Sequence, residues 1–305
     1  MPPRVVSLLS SGTEMVCALG LKDALVGRSH ECDYPPGIET LPICTEPRFA
    51  VDGTSIEIDQ RIKALLHEAL SPYHVHAGAI RELKPDIIVT QTQCEVCAVS
   101  ISDVHEALKQ TAGLNPEIVS LRAESLDGIW ADIANLAEAV SVEREGNDLI
   151  ARLRERMQTT SDTALAQSER PTICCIEWIE PLMAAGNWVP ELVEMAGGIN
   201  THGEAGKHSP WMEWESLVAT DPDAIAIFPC GYDIAQTRKN LHYLTDRPEW
   251  RELKAVRTGR VHLADGNQYF NRPGPRMAES LDILAAMLHP EMLTHAQRTG
   301  FVALD

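Results

Sequence analysis

The segment that decides the fold runs over residues 83–100 and reads LKPDIIVTQTQCEVCAVS. Pro85 ends a helix, because the residue before a proline avoids helical backbone angles. The apolar, β-branched run at residues 87–89 then predicts a strand that is buried on both faces of a parallel sheet. The polar stretch that follows places Cys94 and Cys97 just beyond the carboxyl end of this strand. In open α/β sheets ligands bind at that end, so both cysteines are candidate functional residues.

A second segment with the same pattern lies earlier in the chain. Residues 24–27 (ALVG) predict a short strand, and the sequence SHECDYPP follows at residues 29–36. His30 and Cys32 therefore also come directly after a strand. If the two strands are neighbours in one sheet, the two cysteines of the first segment and this His-x-Cys pair converge at one point.

Strand and helix patterns alternate around these two segments, which predicts a doubly wound parallel sheet. The alternation covers residues 1–122 and returns over residues 169–305. Residues 123–168 have the apolar spacing of helices and no strand pattern. The sequence thus predicts an α/β protein with two Rossmann-like lobes, an N-terminal lobe (1–122) and a C-terminal lobe (169–305). Their parallel-sheet cores are joined by one long helix in a connecting helical spine (123–168).

Composition restricts the class of partner. The chain has 305 residues and a formal net charge of −18. Such acidity argues against binding to nucleic acid, which needs a basic face. No apolar run approaches the roughly 20 residues of a membrane-spanning helix, so we expect no membrane insertion. The first residues lack the pattern of a secretory signal. We therefore expect a cytoplasmic protein, and a periplasmic one only if the start has been trimmed.

Several segments resemble the soluble binding proteins of iron-complex and vitamin B12 importers, a periplasmic-binding-protein-like family. The matching segments include RVVSLLSSGTEMVCALGL from residue 4, LVGRSHECDYPP from residue 25, EPLMAAGNWVPELVEMAGGIN from residue 180 and PGPRMAESLDILAAML from residue 273. More narrowly, the chain is similar to a signal-less subgroup of cobalamin-binding members with the HECDYPP and CxVCAVS motifs. The resemblance implies two α/β lobes joined by a long helix, with the ligand in the cleft between them.

The ligand implied by the resemblance is cobalamin or a related corrinoid. Aromatic side chains hold a flat ring well, and the matching segments supply four candidates: Trp178, Trp188, Tyr269 and Phe270. Arg272 has the planar guanidinium that pairs with a carboxylate or phosphate group. Glu177, at the end of a predicted strand, is a candidate hydrogen-bond acceptor or hard metal ligand. Core packing is the alternative for Trp188 and Phe270, and local capping is the alternative for Glu177.

The expected function is the binding of a small-molecule or metal-complex ligand for storage, sensing or delivery. Importers of this family dock on an ABC permease through one acidic residue in each lobe. The matching first-lobe position is Gly78, which argues against such docking. One alternative is nevertheless a conventional ABC-importer substrate-binding subunit. Another is a metal- or thiol-dependent enzyme on the same scaffold, although no nucleophile elbow, Walker loop or HExxH motif is present.

The cysteines and the histidine also predict a metal site. Thiolate and imidazole suit zinc or iron, and Cys-x-x-Cys with His-x-Cys supplies four ligands for one ion. The predicted ligands are His30, Cys32, Cys94 and Cys97, with Cys44 or His208 as possible replacements. Three alternatives stay open at this point. The cysteines are a redox pair of lowered thiol pKa, or one of the four groups ligates the metal of the bound cargo, or all are loop residues that only pack.

Overall fold

The computed structural model describes residues 2–68, 70–92, 99, 101–111, 113–292 and 300–304. The chain divides into two compact units. The first consists of Met1–Gly53, Glu57–Ala123 and Asp127–Ala151, and the second of Thr54–Ile56, Glu124–Leu126 and Arg152–Asp305. Each unit has its own sheet with a parallel core, which confirms the predicted α/β class with two lobes.

The first part of the chain alternates short strands and helices. Its strands are β1 (Val5–Ser7), β2 (Leu25–Arg28), β3 (Thr45–Pro47), β4 (Tyr73–Val75), β5 (Ile87–Gln91) and β6 (Glu117–Leu121). Its helices are α1 (Ser10–Ala18), α2 (Ser55–His67), α3 (Ala77–Leu83), α4 (Ile101–Lys109) and α5 (Leu126–Ala139). A parallel sheet has the order β2-β1-β5-β6, while β3 and β4 form a separate antiparallel pair.

The apolar run that predicts a buried strand lies at the centre of this sheet. Ile87, Ile88 and Val89 are at most 3% exposed, and they pair with β1 on one side and β6 on the other. The strand at residues 25–28 is also present, but it is not the neighbour of β5. Both strands pair with β1, which lies between them. The loops that follow β2 and β5 therefore start two strand spacings apart, about 10 Å.

The helical region between the two sheets consists of two helices. α5 ends at Ala139, and α6 (Glu143–Leu165) begins after a turn in which Ser141 has a left-handed φ of 58°. α6 has 23 residues and carries the chain from the first unit into the second. In the described parts of the chain, no helix combines the length and apolar composition that crossing a bilayer requires.

The second unit has a larger, mixed sheet. Its strands are β7 (Thr172–Trp178), β8 (Met183–Ala184), β9 (Ile199–Asn200), β10 (Ala224–Ile227), β11 (Val261–Ala264) and β12 (Phe301–Ala303). Its further helices are α7 (Val189–Met195), α8 (Trp214–Thr220), α9 (Ile234–Asn240), α10 (His242–Thr245), α11 (Lys254–Arg257) and α12 (Met277–Leu288). The sheet order is β12-β11-β10-β7-β8, with β9 also paired to β7. The core strands β7, β10 and β11 are parallel, whereas β8 and β12 are antiparallel to their neighbours.

A short motif before β5 fixes where the central strands of the first unit begin. After α3, Lys84 adopts a left-handed φ of 45°, and Pro85 then prevents the helix from continuing. The carboxylate of Asp86 accepts a hydrogen bond of 2.8 Å from the backbone N–H of Arg4, just before β1. The carboxylate therefore ties the start of β5 to the start of its parallel neighbour.

The second unit repeats this motif before β10. After α8, Asp221 has a left-handed φ of 40°, and a proline and Asp223 lead into the strand. The Asp223 carboxylate accepts hydrogen bonds of 2.8 Å from both the backbone N–H and the hydroxyl of Thr172, the first residue of β7. The Lys254 ammonium also pairs with it, and this interaction lowers the pKa of Asp223 to about 2.

We predict that Asp86→Ala and Asp223→Ala each lower the free energy of unfolding by about 1–2 kcal/mol. The physical reason is that a backbone N–H at the start of a buried strand loses its acceptor. Urea unfolding at neutral pH measures the loss. Asp246→Ala is the matched control, because that carboxylate is exposed and makes no hydrogen bond within the described residues. Equal effects of all three substitutions would contradict the role given to the motif.

The stability that Asp223 contributes also depends on pH. Its pKa is about 2 in the folded chain against 3.8 for the ordinary side chain, so the unfolded state takes up the proton first. The contribution is complete above about pH 5 and is lost as the pH falls through the folded pKa. We therefore expect the difference in stability between the wild type and Asp223→Ala to shrink towards acid pH. A difference that stays constant would show that the carboxylate does not act through its charge.

Candidate functional site

The carboxyl ends of the parallel strands form one edge of the sheet in each unit. We call the residues that follow β1, β2 and β5 the first-unit edge. The residues that follow β7, β10 and β11 are the second-unit edge. In α/β sheets such edges hold the functional side chains, and each is described here by itself.

Arg28, the last residue of β2, shapes the loop that carries two predicted metal ligands. Its buried guanidinium donates hydrogen bonds to the carbonyls of Ser29, His30 and Cys32 at 2.9 to 3.4 Å. It also donates one to the carbonyl of Glu39 at 3.0 Å. A buried guanidinium has five N–H donors to satisfy, so the loop wraps around it. The position of His30 and Cys32 at the first-unit edge follows from this arginine.

The ring of His30 is hydrogen-bonded through one nitrogen, while its Nε2 lies 3.9 Å from a carboxylate oxygen of Glu31. Its Nδ1 lies 2.8 Å from the Thr45 hydroxyl, which also accepts the His30 backbone N–H at 3.1 Å. Thr45 donates its own proton to the Ser29 hydroxyl at 3.0 Å, so Nδ1 is the donor and Nε2 keeps its lone pair. Burial and the nearby Arg28 lower the pKa of His30. A neutral ring oriented in this way has the chemistry of a metal ligand.

The other predicted ligands have different surroundings. Cys32 is 1% exposed, and its Sγ lies 3.0 Å from the hydroxyl of Thr13. Cys94 and Cys97 lie outside the described residues. Among the residues that are described, no group of three or more His, Cys, Asp or Glu side chains is placed to hold a metal ion. The four-ligand site thus stays a prediction, and β1 separates the two strands that carry its halves.

Cys44, the first possible replacement ligand, is fully buried in the core of the first unit. Burial raises the pKa of its thiol to about 11, so the thiol is neutral at physiological pH. Metal ions bind the thiolate and not the thiol. The surroundings of Cys44 are therefore those of a core residue.

Glu177, the penultimate residue of β7, has a defined local partner. Its Oε2 accepts a hydrogen bond of 2.9 Å from the hydroxyl of Ser209, and that hydroxyl accepts one of 3.0 Å from the backbone N–H of Gly186. Burial raises the pKa of Glu177 to about 7, although Ser209 and His208 act in the opposite direction. Near neutral pH, the carboxyl group of Glu177 is therefore both a hydrogen-bond donor and an acceptor.

The loop that positions Ser209 depends on close backbone approach. A Cβ atom on Gly186 would lie 2.5 Å from the carbonyl oxygen of Lys207 and 2.8 Å from the backbone nitrogen of Ser209. Real Cβ contacts are longer, so only glycine allows the two segments to lie against each other. Glycine at this position therefore allows the hydrogen bond to Glu177.

Two of the four predicted aromatic residues are half-buried at the second-unit edge. The ring of Trp178 lies 5.2 Å from that of Tyr232, and the Arg276 guanidinium lies 4.6 Å from the ring centre of Tyr269. Arg276 also donates to the side-chain oxygen of Gln268 at 2.9 Å. Part of each aromatic surface thus remains open to a ligand.

The other two aromatic residues pack inside the second unit. Trp188 is 5% exposed and donates its indole N–H to the carbonyl of Phe270 at 2.7 Å. Phe270 is fully buried, and its ring stacks on Phe228 at 4.1 Å. These surroundings match the packing alternative, and direct ligand contact stays a prediction. Arg272 is largely buried as well and donates to the Asn267 side chain at 2.9 Å.

Trp211 is a further candidate ligand contact that was not predicted from the sequence. Of the six tryptophans it alone is more than half exposed, at 58%. Its backbone forms an isolated antiparallel β-bridge with Met183, the first residue of β8. It lies two residues after Ser209, which binds Glu177. The available signal was its position at the end of the Gly- and His-containing loop THGEAGKHSPW. Because tryptophan is enriched among the residues that dominate binding, this exposed indole next to the second-unit edge is a candidate ligand contact.

Comparisons with known proteins show what this chain is similar to. A family model described as periplasmic binding protein matches residues 5–267. An uncharacterized ABC transporter substrate-binding lipoprotein of Bacillus subtilis is 22% identical over 295 residues, which cover 95% of this chain and 81% of the relative. A vitamin B12-binding protein of Vibrio cholerae is 24% identical over 298 residues, covering 93% and 88%. A periplasmic heme binding protein from Pseudomonas aeruginosa has the same fold, with a TM-score of 0.70, 21% identity and coverage of 100% and 96%.

We predict that Glu177 makes the folded state less stable as the pH rises. Its pKa is about 7 when folded against an ordinary 4.5, so the folded chain binds more protons between these values. The free energy of unfolding therefore falls as the pH rises from about 4.5 through about 7. Urea unfolding across this range measures the fall, which Glu177→Gln is expected to remove. Glu194→Gln on the exposed face of α7 is the control. Parallel profiles for all three proteins would rule out a raised pKa.

Proposed function

The chain belongs to the periplasmic binding protein family, and from this membership we propose that it binds a flat, metal-containing ring compound without converting it. The proposed ligand is cobalamin or a related corrinoid. The observation that carries the proposal is the exposed indole of Trp211 beside the second-unit edge. Apolar surface in water costs about 25 cal/mol per Å². A flat ring that covers the indole removes this cost and gains the aromatic contact.

Charge at the same edge fits the polar rim of such a ligand. Arg272 and Arg276 lie in the loop after β11, and Arg276 stacks on the half-buried Tyr269. Guanidinium groups recognise phosphate and carboxylate groups through paired N–H donors. Corrinoids of the cobalamin type carry a phosphate, and haems carry carboxylates. The relative named as a vitamin B12-binding protein supports the corrinoid, and the solved heme binding protein makes haem the second ring to test.

The two units differ at the positions that the resemblance assigns to permease docking. α3 and α8 each have seven residues and precede the Pro-Asp motif. The second residue of α3 is Gly78, and the second residue of α8 is Glu215; both are exposed. At these matching helix positions only the second unit has an acidic residue, and the docking position that the resemblance assigns to the first unit is Gly78. This supports storage, sensing or delivery of the ligand over docking on an ABC permease. A conventional importer subunit is the alternative.

We also propose a zinc or iron ion held by His30, Cys32, Cys94 and Cys97. His30 fits this role, because its Nε2 has a free lone pair and Thr45 holds the ring from the other side. Cys32 fits as well, since the Thr13 hydroxyl beside its sulfur would donate a hydrogen bond to a thiolate. A bound zinc ion would crosslink the two loops. In the alternative arrangement, His30 Nε2 ligates the metal of the bound ring.

Ligand titration tests the proposed function. We expect cyanocobalamin to bind the purified chain at one equivalent, with saturable quenching of tryptophan fluorescence. Trp211→Ala should weaken binding by about tenfold to a hundredfold, as the loss of a central tryptophan does at other binding sites. Leu165→Ala is the control, because Leu165 is 50% exposed on α6. Haemin is titrated separately.

The two titrations distinguish the identity of the ring ligand from the ability of the chain to bind a ring at all. Binding of haemin alone would replace the corrinoid by haem. Binding of neither ring, or equal losses in the two variants, would contradict the proposal.

Elemental analysis of the purified protein tests the metal site. We expect one zinc or iron ion per chain and its loss in Cys94→Ala and Cys97→Ala. Cys17→Ala, a half-buried cysteine on α1, should keep the metal. Protein without stoichiometric metal would remove the site. If Cys94→Ala and Cys97→Ala keep their affinity for the ligand but lose a catalytic activity of the wild type, a metal- or thiol-dependent enzyme replaces the proposed binding protein.

A further inference from the structure

A cavity of about 460 Å³ opens in the second unit at the amino-terminal ends of β7 and β11. This is the opposite end of the strands from the second-unit edge. Three segments line the cavity: residues 167–169 and 171 before β7, residues 258–260 and 262 at the start of β11, and residues 287–291 at the end of α12. The proposed ring-binding role uses none of these residues.

Two buried histidines line this cavity. His262 on β11 is 8% exposed, and neither ring nitrogen has a hydrogen-bond partner. His289 at the end of α12 is 2% exposed, and its Nε2 lies against the backbone of Ala196 and Gly197. Burial, together with Arg260, lowers the pKa of His262 to about 4, and burial lowers that of His289. Both rings are therefore neutral at physiological pH, each with an N–H donor.

Arg260 supplies positive charge to the same cavity. Its guanidinium donates one hydrogen bond of 2.8 Å to the carbonyl of Leu288 and forms no ion pair with any described residue. It is close enough to both histidines to influence their pKa values. Glu169 and Glu291 also line the cavity, but both are exposed, and Glu291 approaches the Nδ1 of His289 at 3.9 Å. The buried part of the lining thus carries donors and one positive charge.

A buried polar atom without a partner costs about 1–3 kcal/mol, and native structures rarely leave such atoms unpaired. A ligand that accepts hydrogen bonds and carries negative charge would satisfy His262 and the guanidinium of Arg260. A metal cation does not fit, because Arg260 repels it and the described residues contain no three-ligand group. We propose that this cavity is a second binding site, which takes a small oxyanion, either phosphate or a carboxylate, through Arg260 and His262, with His289 in the cavity wall.

Nuclear magnetic resonance of the imidazole nitrogens tests this site in the full chain. Inorganic phosphate and acetate are titrated separately at constant ionic strength. We expect saturable shifts of His262 and His289, with a dissociation constant of about 1 mM, typical of a small ion. The exposed His242 serves as an internal control. The pKa of His262 should rise on binding, because a bound anion favours the imidazolium.

Two arginine variants distinguish specific binding in the cavity from non-specific attraction of the anion to positive charge. Arg260→Gln should weaken binding at least tenfold, and His262→Gln should do the same if Arg260→Gln alters the fold by circular dichroism. Arg251→Gln removes the same charge from an exposed position in the same unit and should have no effect. Saturation by phosphate alone or acetate alone supports the site and names its ligand.

Two results would overturn the proposal. Shifts that do not saturate with either ion would mean that the cavity holds water only. Equal losses in Arg260→Gln and Arg251→Gln would mean that the anion is attracted without a site. The result is independent of ring binding, because a chain that binds neither cobalamin nor haemin can still bind phosphate here.

Discussion

In each of the two sheets, one carboxylate ties together the starts of two neighbouring parallel strands. Asp86 and Asp223 both follow a left-handed residue and a proline, and both accept a hydrogen bond from the backbone at the start of the neighbouring parallel strand. This bond fixes the strands relative to each other at their amino-terminal ends. Because these neighbours are parallel and start together, the loops that follow them lie at the same edge of each sheet. The functional edges of both units depend on this constraint.

The sequence predicts most of this architecture, because the decisive signals are local. Pro85 and the β-branched run after it are sufficient to predict β5 and its burial. Strand order is not local, and the insertion of β1 between β2 and β5 could not be read from either segment. The packing of Trp188 against Phe270, 82 residues away, is equally invisible in sequence. The solvent exposure of a side chain also depends on contacts between residues that are distant in sequence. The exposed Trp211 was therefore not predicted as a ligand contact.

Buried ionisable groups in this acidic chain are arranged in two different ways. The Arg28 guanidinium donates hydrogen bonds to carbonyl oxygens of the loop that follows it. Burial instead raises the pKa of Glu177 and lowers the pKa of His262, which favours the neutral form of each group. The first arrangement builds a loop, and the second leaves His262 with hydrogen-bonding capacity beside a cavity. A high net charge of −18 therefore coexists with local sites of quite different polarity.

The close approach at Gly186 has an evolutionary consequence. A side chain there, or at Gly203, whose Cβ would lie 2.1 Å from the carbonyl oxygen of Ala185, would push apart two strands of backbone. Substitutions at these glycines are therefore expected to destabilise the second unit, whatever the ligand. The neighbouring side chains of His208 and Trp211 are exposed and do not lie in this close backbone contact. Related proteins can therefore change ligand specificity by substitutions at the positions of His208 and Trp211, while the backbone of this loop stays the same.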